Sequence, residues 1–295
     1  MRVFLTGATG LVGSAIIPQL LEHGHSVIGL ARSEAGEKLL RSAGADVHPG
    51  RLEDLNAIYA GAAVADAVIH CAFEHDFSKF KENAELDKRV IQTFGDVLKG
   101  TDRPLLVSTG MPLESPIRPI TESVSLPAVS PTPRVSEQTA TALQARGVHV
   151  NVIRLPQVHS VAKQGLVTSL IGIAREKGIS AYVDDGLNRW SACHVEDAAR
   201  VYALALDKHQ AGATYHAVGE EGISLKAIAK AIGDGLNIPF LSIPSEEADA
   251  HFGFFGKLVR RDLSASSAIT QELLGWKPAG PGLIDDIGKH LKKYS

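Results

Sequence analysis

The residues with the chemistry to bind or react begin at the N-terminus. Thr6-Gly7-Ala8-Thr9-Gly10-Leu11-Val12-Gly13 spaces three glycines as G-x-x-G-x-x-G, directly after an apolar run and before an amphipathic one. In a strand–loop–helix setting, Gly7 turns the chain tightly, Gly10 lets the backbone approach a pyrophosphate, and Gly13 lets the helix pack on the strand. The N–H groups of the helix start, with Thr9, Leu11 and Val12 beside them, then hold the phosphates. The plainer alternative is a glycine-rich turn with no ligand. Roughly 20 residues further on, an Asp or Glu would bind the adenosine ribose, whereas an Arg would accommodate a 2′-phosphate. The chain has Ala31-Arg32-Ser33 there, with no acid before Glu34. Arg32 offers a planar fork and Ser33 a hydroxyl, which favours NADP over NAD. The other reading of Arg32 is a solvated surface cation.

Such a loop needs strands and helices to hold it. Arg2–Thr6, Ser26–Ala31, Asp46–His48, Ala67–Ala72 and Leu105–Ser108 read as strands. Leu11–Glu22 reads as a helix with Val12, Ile16 and Leu20 on one stripe, although Pro18 should bend it or remove a backbone hydrogen bond. Asn83–Lys99 reads as another helix. Strands joined by helices in this rhythm make parallel βαβ units with both sheet faces covered. Seven of the fourteen prolines then fall between Pro104 and Pro133, so that stretch is mostly loop, and a long loop after a parallel strand is usually functional. Helix (Ser136–Ala145) and strand (Val148–Arg154) resume. Helical stretches follow at Val167–Lys177, Ala198–Leu206 and Leu225–Ile232.

Composition excludes other classes. The 295 residues are 44% hydrophobic and 21% charged with a net charge of −3, which excludes a disordered chain and shows no nucleic-acid footprint. The two cysteines cannot build a disulfide framework and fit a reducing compartment. No apolar run is long enough to span a bilayer, and MRVFLTGATG does not read as a signal peptide. A cytoplasmic protein with no membrane association is expected.

Five segments, in order, resemble the extended branch of the short-chain dehydrogenase/reductase superfamily, the epimerase/dehydratase-like proteins. They are TGATGLVGS, Leu155-Pro156-Gln157-Val158-His159, the run from Arg189 to Ala199, Thr214–Gly219, and Leu274-Gly275-Trp276-Lys277-Pro278. The resemblance implies an α/β fold: a doubly wound Rossmann sheet in residues 1–155, with 190–215 returning to it. A smaller substrate lobe comes from 156–189 and 216–295. It implies that Leu52, Cys71, Ala72 and Pro156 also line the cofactor, and that related enzymes often pair as homodimers. The family tetrad of Asn, Ser/Thr, Tyr and Lys is broken. Asp87 stands at the Asn position, Ser108-Thr109-Gly110 spans the Ser/Thr position, Pro133 replaces Tyr and Glu137 replaces Lys. No tyrosine lies between Tyr59 and Tyr182. Arg51 stands where the family commonly has an Asp near adenine.

Hydride transfer still needs a placed carbonyl and a source of a proton. Thr109 or Ser108 can hydrogen-bond the carbonyl oxygen, or else cap its own backbone. His159 has a neutral-range pKa suited to proton transfer, and Lys163 can act electrostatically; both also read as surface residues. Asp87 can polarise a water or orient a neighbour. Arg189 and Trp190 are placed to touch a ligand, while His194 and Asp197 read as capping and packing residues. His70, Cys71 and His75 match no standard zinc spacing, so no metal is expected. The expectation is an NADP-dependent oxidoreductase on a small-molecule substrate. A non-catalytic NADP-binding sensor and a sugar-type epimerase or dehydratase are the alternatives.

Overall fold

The computed structural model describes residues 1–74, 76–113, 115–126 and 134–294, so His75 and the prolines at 127, 131 and 133 lie outside the described residues. In chain order the first elements are β1 (Arg2–Thr6), α1 (Leu11–Glu22), β2 (Ser26–Ala31), α2 (Glu34–Ser42), β3 (Asp46–Pro49), α3 (Leu55–Ala63), β4 (Ala67–His70), α4 (Phe80–Leu98), β5 (Leu105–Gly110), α5 (Ser136–Gln144) and β6 (Val150–Leu155). Then come β7 (Gln157–His159), α6 (Val167–Lys177), β8 (Ser180–Val183), β9 (Arg189–His194), α7 (Val195–Lys208), β10 (Thr214–His216), β11 (Glu220–Ser224), α8 (Leu225–Leu236), β12 (Phe240–Ile243), α9 (Ala248–Phe252), α10 (Gly256–Val259), α11 (Ala268–Leu274) and α12 (Leu283–Tyr294).

Seven strands pair in the order β10-β6-β5-β4-β1-β2-β3, all parallel. Their residues are apolar on both sides because helices cover both. Leu5, Ile69, Leu106 and Ile153 face Ile16, Ile17 and Leu20 of α1 and Tyr202 and Leu206 of α7. Phe4, Val68, Leu105, Val107 and Val152 face α3, α4 and α5 through Ile58, Val90, Phe94 and Leu143. This is a doubly wound Rossmann-like sheet. The chain's second core gathers Trp190, Leu225, Ile228, Ile232 and Phe252, with Ile287 and Leu291 of α12, around the small sheets β11-β9-β7 and β12-β8. Among the described residues no helix is long and apolar enough to cross a membrane.

Several elements differ from the sequence reading. α1 runs unbroken through Pro18, whose ring lies on the exposed side of the helix. β4 ends at His70 rather than Ala72, and β5 continues to Gly110 because its pairing with β6 reaches Leu155. α4 starts at Phe80. The short helices α2 and α3 carry no long apolar stripe, so periodicity does not announce them. Their caps explain them: Ser33 Oγ accepts from the Gly36 N–H at 3.3 Å, and Asp54 Oδ1 from the N–H groups of Asn56 and Ala57 at 3.1 Å.

Arg154 of β6 joins three parts of the chain from inside the core. It donates to Glu137 of α5 (Nε to Oε2 3.0 Å, Nη2 to Oε1 2.5 Å), to the carbonyls of Thr121 and Val124, and to His216 Nε2 of β10 at 3.2 Å. His216 in turn donates from Nδ1 to the Ser266 carbonyl at 2.7 Å, which fixes a neutral ring. Burial pulls its pKa down from 6.5 to about 4, with Glu122 opposing. The unfolded chain therefore binds a proton that the folded chain refuses, and stability should fall as pH drops from 6.5 towards about 4. The contribution is on the order of 3 kcal/mol at most. Urea unfolding across that range should show this slope, and His216→Gln should flatten it.

Candidate functional site

The sheet reverses its winding between β1 and β4, and the loops leaving these strands diverge to leave a crevice. Gly7, at φ +73°, closes the floor: a Cβ there would lie 2.7–2.9 Å from the backbone of Cys71 and Ala72. A Cβ on Gly13 would lie 2.0 Å from the Gly7 carbonyl oxygen, so the turn and the helix need both glycines. Gly10 is the N-cap of α1 yet brings no side chain, and the first turn of α1 holds no acid. The orphan N–H groups there are left for an anion. Gly7, Thr9, Gly10, Leu11, Val12, Gly13, Cys71 and Ala72 thus share one crevice.

The other expected cofactor residues stand around it. Arg32 and Ser33 follow the end of β2. Arg32 Nη1 pairs with Glu74 Oε1 at 2.7 Å across an exposed rim. Leu52 lies just beyond Gly50, whose N–H bonds the Ala31 carbonyl at 2.9 Å, so it flanks the same strand end. Pro156 follows Leu155, the partner of Gly110.

A polar layer lies at the ends of β4 and β5. The hydroxyls of Ser108 and Tyr202 are 2.7 Å apart, and the Cys71 thiol lies beside them. Burial pushes the thiol and the phenol up, so both stay protonated. The hydroxyl of Thr109 has no side-chain hydrogen bond among the described residues. Asp87 of α4 is buried. It accepts from His70 Nε2 at 2.9 Å and from Ser136 Oγ at 2.6 Å, and Thr6 Oγ1 donates to His70 Nδ1 at 2.7 Å. Arg134 extends this chain. Its Nε donates to Ser136 Oγ at 3.2 Å, and its guanidinium lies 4.2 Å over the Phe73 ring. Burial lowers the guanidinium's pKa, with Asp87 the largest opposing charge. Sequence reading misses Arg134, Ser136 and Tyr202. Arg134 sits directly after the proline at the family's tyrosine position, which is the one available signal.

His159 and Lys163 are not brought to this layer. His159 is fully buried, and its Nδ1 donates to Asp286 Oδ2 at 2.8 Å, beside His194 and with Glu220 at 4.0 Å. Burial lowers its pKa against the pull of Asp286, which leaves a neutral ring tying β7 to α12. Lys163 is exposed in the turn after β7. Trp190, expected against a ligand, is buried in the second core, and Arg189 is held by Asp262 at 3.3 Å. Asp197 does not cap α7. It accepts from the Ala279 and Gly280 N–H groups and pairs with Arg200 at 2.6 Å, pinning the Leu274–Pro278 stretch.

Comparison with known proteins agrees with this geometry. Residues 3–219 match the model of the NAD dependent epimerase/dehydratase family. The chain belongs to that family. It is 45% identical over 289 residues, covering 97% of this chain and 98% of the relative, to an uncharacterized protein of Schizosaccharomyces pombe. It is 26% identical over 276 residues (86% of this chain, 80% of the relative) to a 4-hydroxy-2-methyl-3-oxo-4-farnesyl-3,4-dihydroquinoline-1-oxide ketoreductase of Stigmatella aurantiaca. The fold matches a UDP-glucose 4-epimerase of Thermotoga maritima with UDP-glucose, at a TM-score of 0.76 and 17% identity over 100% of this chain and 98% of that one.

Within this family member, Glu137 stands where the resemblance puts a lysine. It is buried and grips Arg154 with both oxygens. Removing one charge strands the other, at a cost of about 3–5 kcal/mol. Glu137→Gln should lower the urea midpoint accordingly. Glu137→Lys, which puts the family residue back, should be worse still because it sets two cations together.

Proposed function

We propose that the chain is an NADP-dependent reductase of a small carbonyl compound. The observation that carries this reading is the uncapped start of α1 behind Gly7 and Gly13, at the winding reversal of a parallel sheet. These residues fit a dinucleotide: the backbone of 7–13 for the pyrophosphate, and Cys71, Ala72 and Pro156 for the nicotinamide end. Ser33 Oγ accepts from Gly36, so its own O–H remains free to donate to a 2′-phosphate. The exposed Arg32–Glu74 pair is worth about 0–1 kcal/mol, so an incoming phosphate can take Arg32 over.

When bound, the reduced nicotinamide supplies the hydride that the carbonyl carbon gains; the carbonyl oxygen gains a proton from water. Thr109, at the crevice end of β5 with its hydroxyl uncommitted, is the residue to hold that oxygen. Ser108 is held by Tyr202, and Tyr202 keeps its proton. Simple reduction is favoured over epimerisation because the latter needs additional acid/base steps, and the family's tyrosine and lysine positions hold Pro133 and Glu137. The named ketoreductase among the relatives supports the same reaction class.

The epimerase or dehydratase reading has one observation of its own. A cleft of about 430 Å³ is lined by Ser115, Arg118, Lys257, Arg260, Arg261 and Asp262, a basic surface suited to a phosphate-bearing substrate. Titration with NADPH and NADH, repeated on Arg32→Ala, tests the proposal. NADPH should bind at least tenfold tighter, a difference of about 1.4 kcal/mol, and the variant should lose the preference. Failure of both nucleotides to bind would end the reductase and sensor readings alike. UDP-glucose binding abolished by Arg261→Ala would favour the sugar reading.

A further inference from the structure

Arg134 is a partly buried cation whose surroundings are incomplete. A guanidinium has five N–H donors in a fixed fork. Here Nε is engaged by Ser136 Oγ, and Nη2 reaches the Ser108 carbonyl only at 3.4 Å. Nη1 has no hydrogen-bond partner among the described residues. No carboxylate of those residues comes within ion-pair distance; Asp87 is reached only through the Ser136 hydroxyl. Phe73 covers one face of the fork at 4.2 Å, and Phe80 packs edge-on against Phe73 at 5.9 Å. Arg154 shows the contrast: deeper in the same region, it has a bidentate carboxylate and three further acceptors. A cation withdrawn from water with donors left over is costly unless an anion completes it.

Room for such a group lies alongside. Among the described residues a Cβ built on Gly110 meets nothing within 4 Å, so those residues leave space at the crevice end of β5. Gly110 is two residues beyond Ser108, whose carbonyl meets Arg134, and one beyond the uncommitted hydroxyl of Thr109. It pairs with Leu155, next to Pro156. The opening is therefore bordered by a cationic fork, a neutral hydroxyl and the expected nicotinamide wall.

We propose that Arg134 is a specificity-determining residue that selects carbonyl compounds carrying an ionised oxygen beside the reacting carbonyl. The class comprises 2-oxo carboxylates and the enolates of 1,3-dicarbonyls, which both present two coplanar oxygens to the fork. The assignment of the neighbouring carbonyl as the reacting one rests on the reductase reading; the oxyanion site itself does not. Ser136 and Asp87 act as positioning residues. They hold the guanidinium from behind and moderate its charge without occupying its outward donors.

Calorimetric titration with oxamate and with acetylacetone, on free protein and on protein saturated with NADP⁺, tests this directly. At least one probe should bind, at least tenfold more weakly to Arg134→Met. Arg134→Lys should bind it with intermediate affinity, because a point charge replaces the fork. Arg146→Met, which removes an exposed arginine elsewhere, should change nothing. Circular dichroism and the thermal midpoint show that each variant is folded; if Arg134→Met is not, Arg134→Lys decides. Equal binding by the wild type and the folded Arg134 variants overturns the proposal, and so does binding of neither probe to the wild type. Which probe binds separates the carboxylate source from the enolate. Nucleotide binding without probe binding removes the oxyanion site and leaves the reductase reading. Probe binding through Arg134 without nucleotide binding does the reverse.

Discussion

The ion pair between Arg154 and Glu137 is the constraint on which the site depends. Arg154 lies on a strand inside the sheet, and Glu137 in the first turn of α5. Their bidentate contact sets where α5 begins, and hence where Arg134 and Ser136, the residues leading into it, must stand. The same guanidinium holds the Thr121 and Val124 carbonyls, so it also anchors part of the stretch that follows β5. A buried pair of this kind contributes little net stability, because desolvating two charges offsets most of their attraction. Its effect is on position. Any arrangement that separates the partners strands a charge, so the loop, the helix start and β10 move together or not at all.

What the sequence makes legible follows from local physics. The glycine spacing, the apolar strands and the striped helices each depend on neighbours within about a turn or a strand length, and these periods survive in the one-dimensional record. The site's working side chains do not have this property. Ser108 meets Tyr202 across 94 positions, and His159 meets Asp286 across 127. No spacing rule encodes such pairs. His159 and Asp87 carry the right chemistry for catalysis, but partners supplied by distant segments turn one into a tie between β7 and α12. The other becomes the centre of a hydrogen-bond chain.

Aromatic contacts that the sequence does not announce also lead from the second core towards the polar layer. Phe254, from the segment between α9 and α10, packs on Phe80 at 6.1 Å, Phe80 on Phe73, and Phe73 under Arg134. The row runs from the second core to the guanidinium. It shields one face of Arg134 from water, which strengthens any electrostatic contact made at the other side. A charge placed there is therefore felt by a bound group more strongly than the same charge on the exposed rim, where Arg32 sits.

A site organised this way divides its work differently from one built on a phenol and an amine. A tyrosine can hold a carbonyl oxygen and also deliver its proton. Arg134 can do only the first, because a guanidinium keeps its proton throughout the accessible pH range. In the reduction proposed above, stabilising the developing alkoxide and protonating it thus become separate tasks, the first falling to fixed charge and the Thr109 hydroxyl and the second to solvent. The chain Thr6–His70–Asp87–Ser136 then acts as a scaffold rather than a proton wire: its hydrogen bonds all point into the Asp87 carboxylate or the His70 ring, and none delivers a proton outward to the crevice. That polarity holds Arg134 from the Ser136 side, and under the proposed reduction it accords with a reaction that needs one proton transfer rather than two.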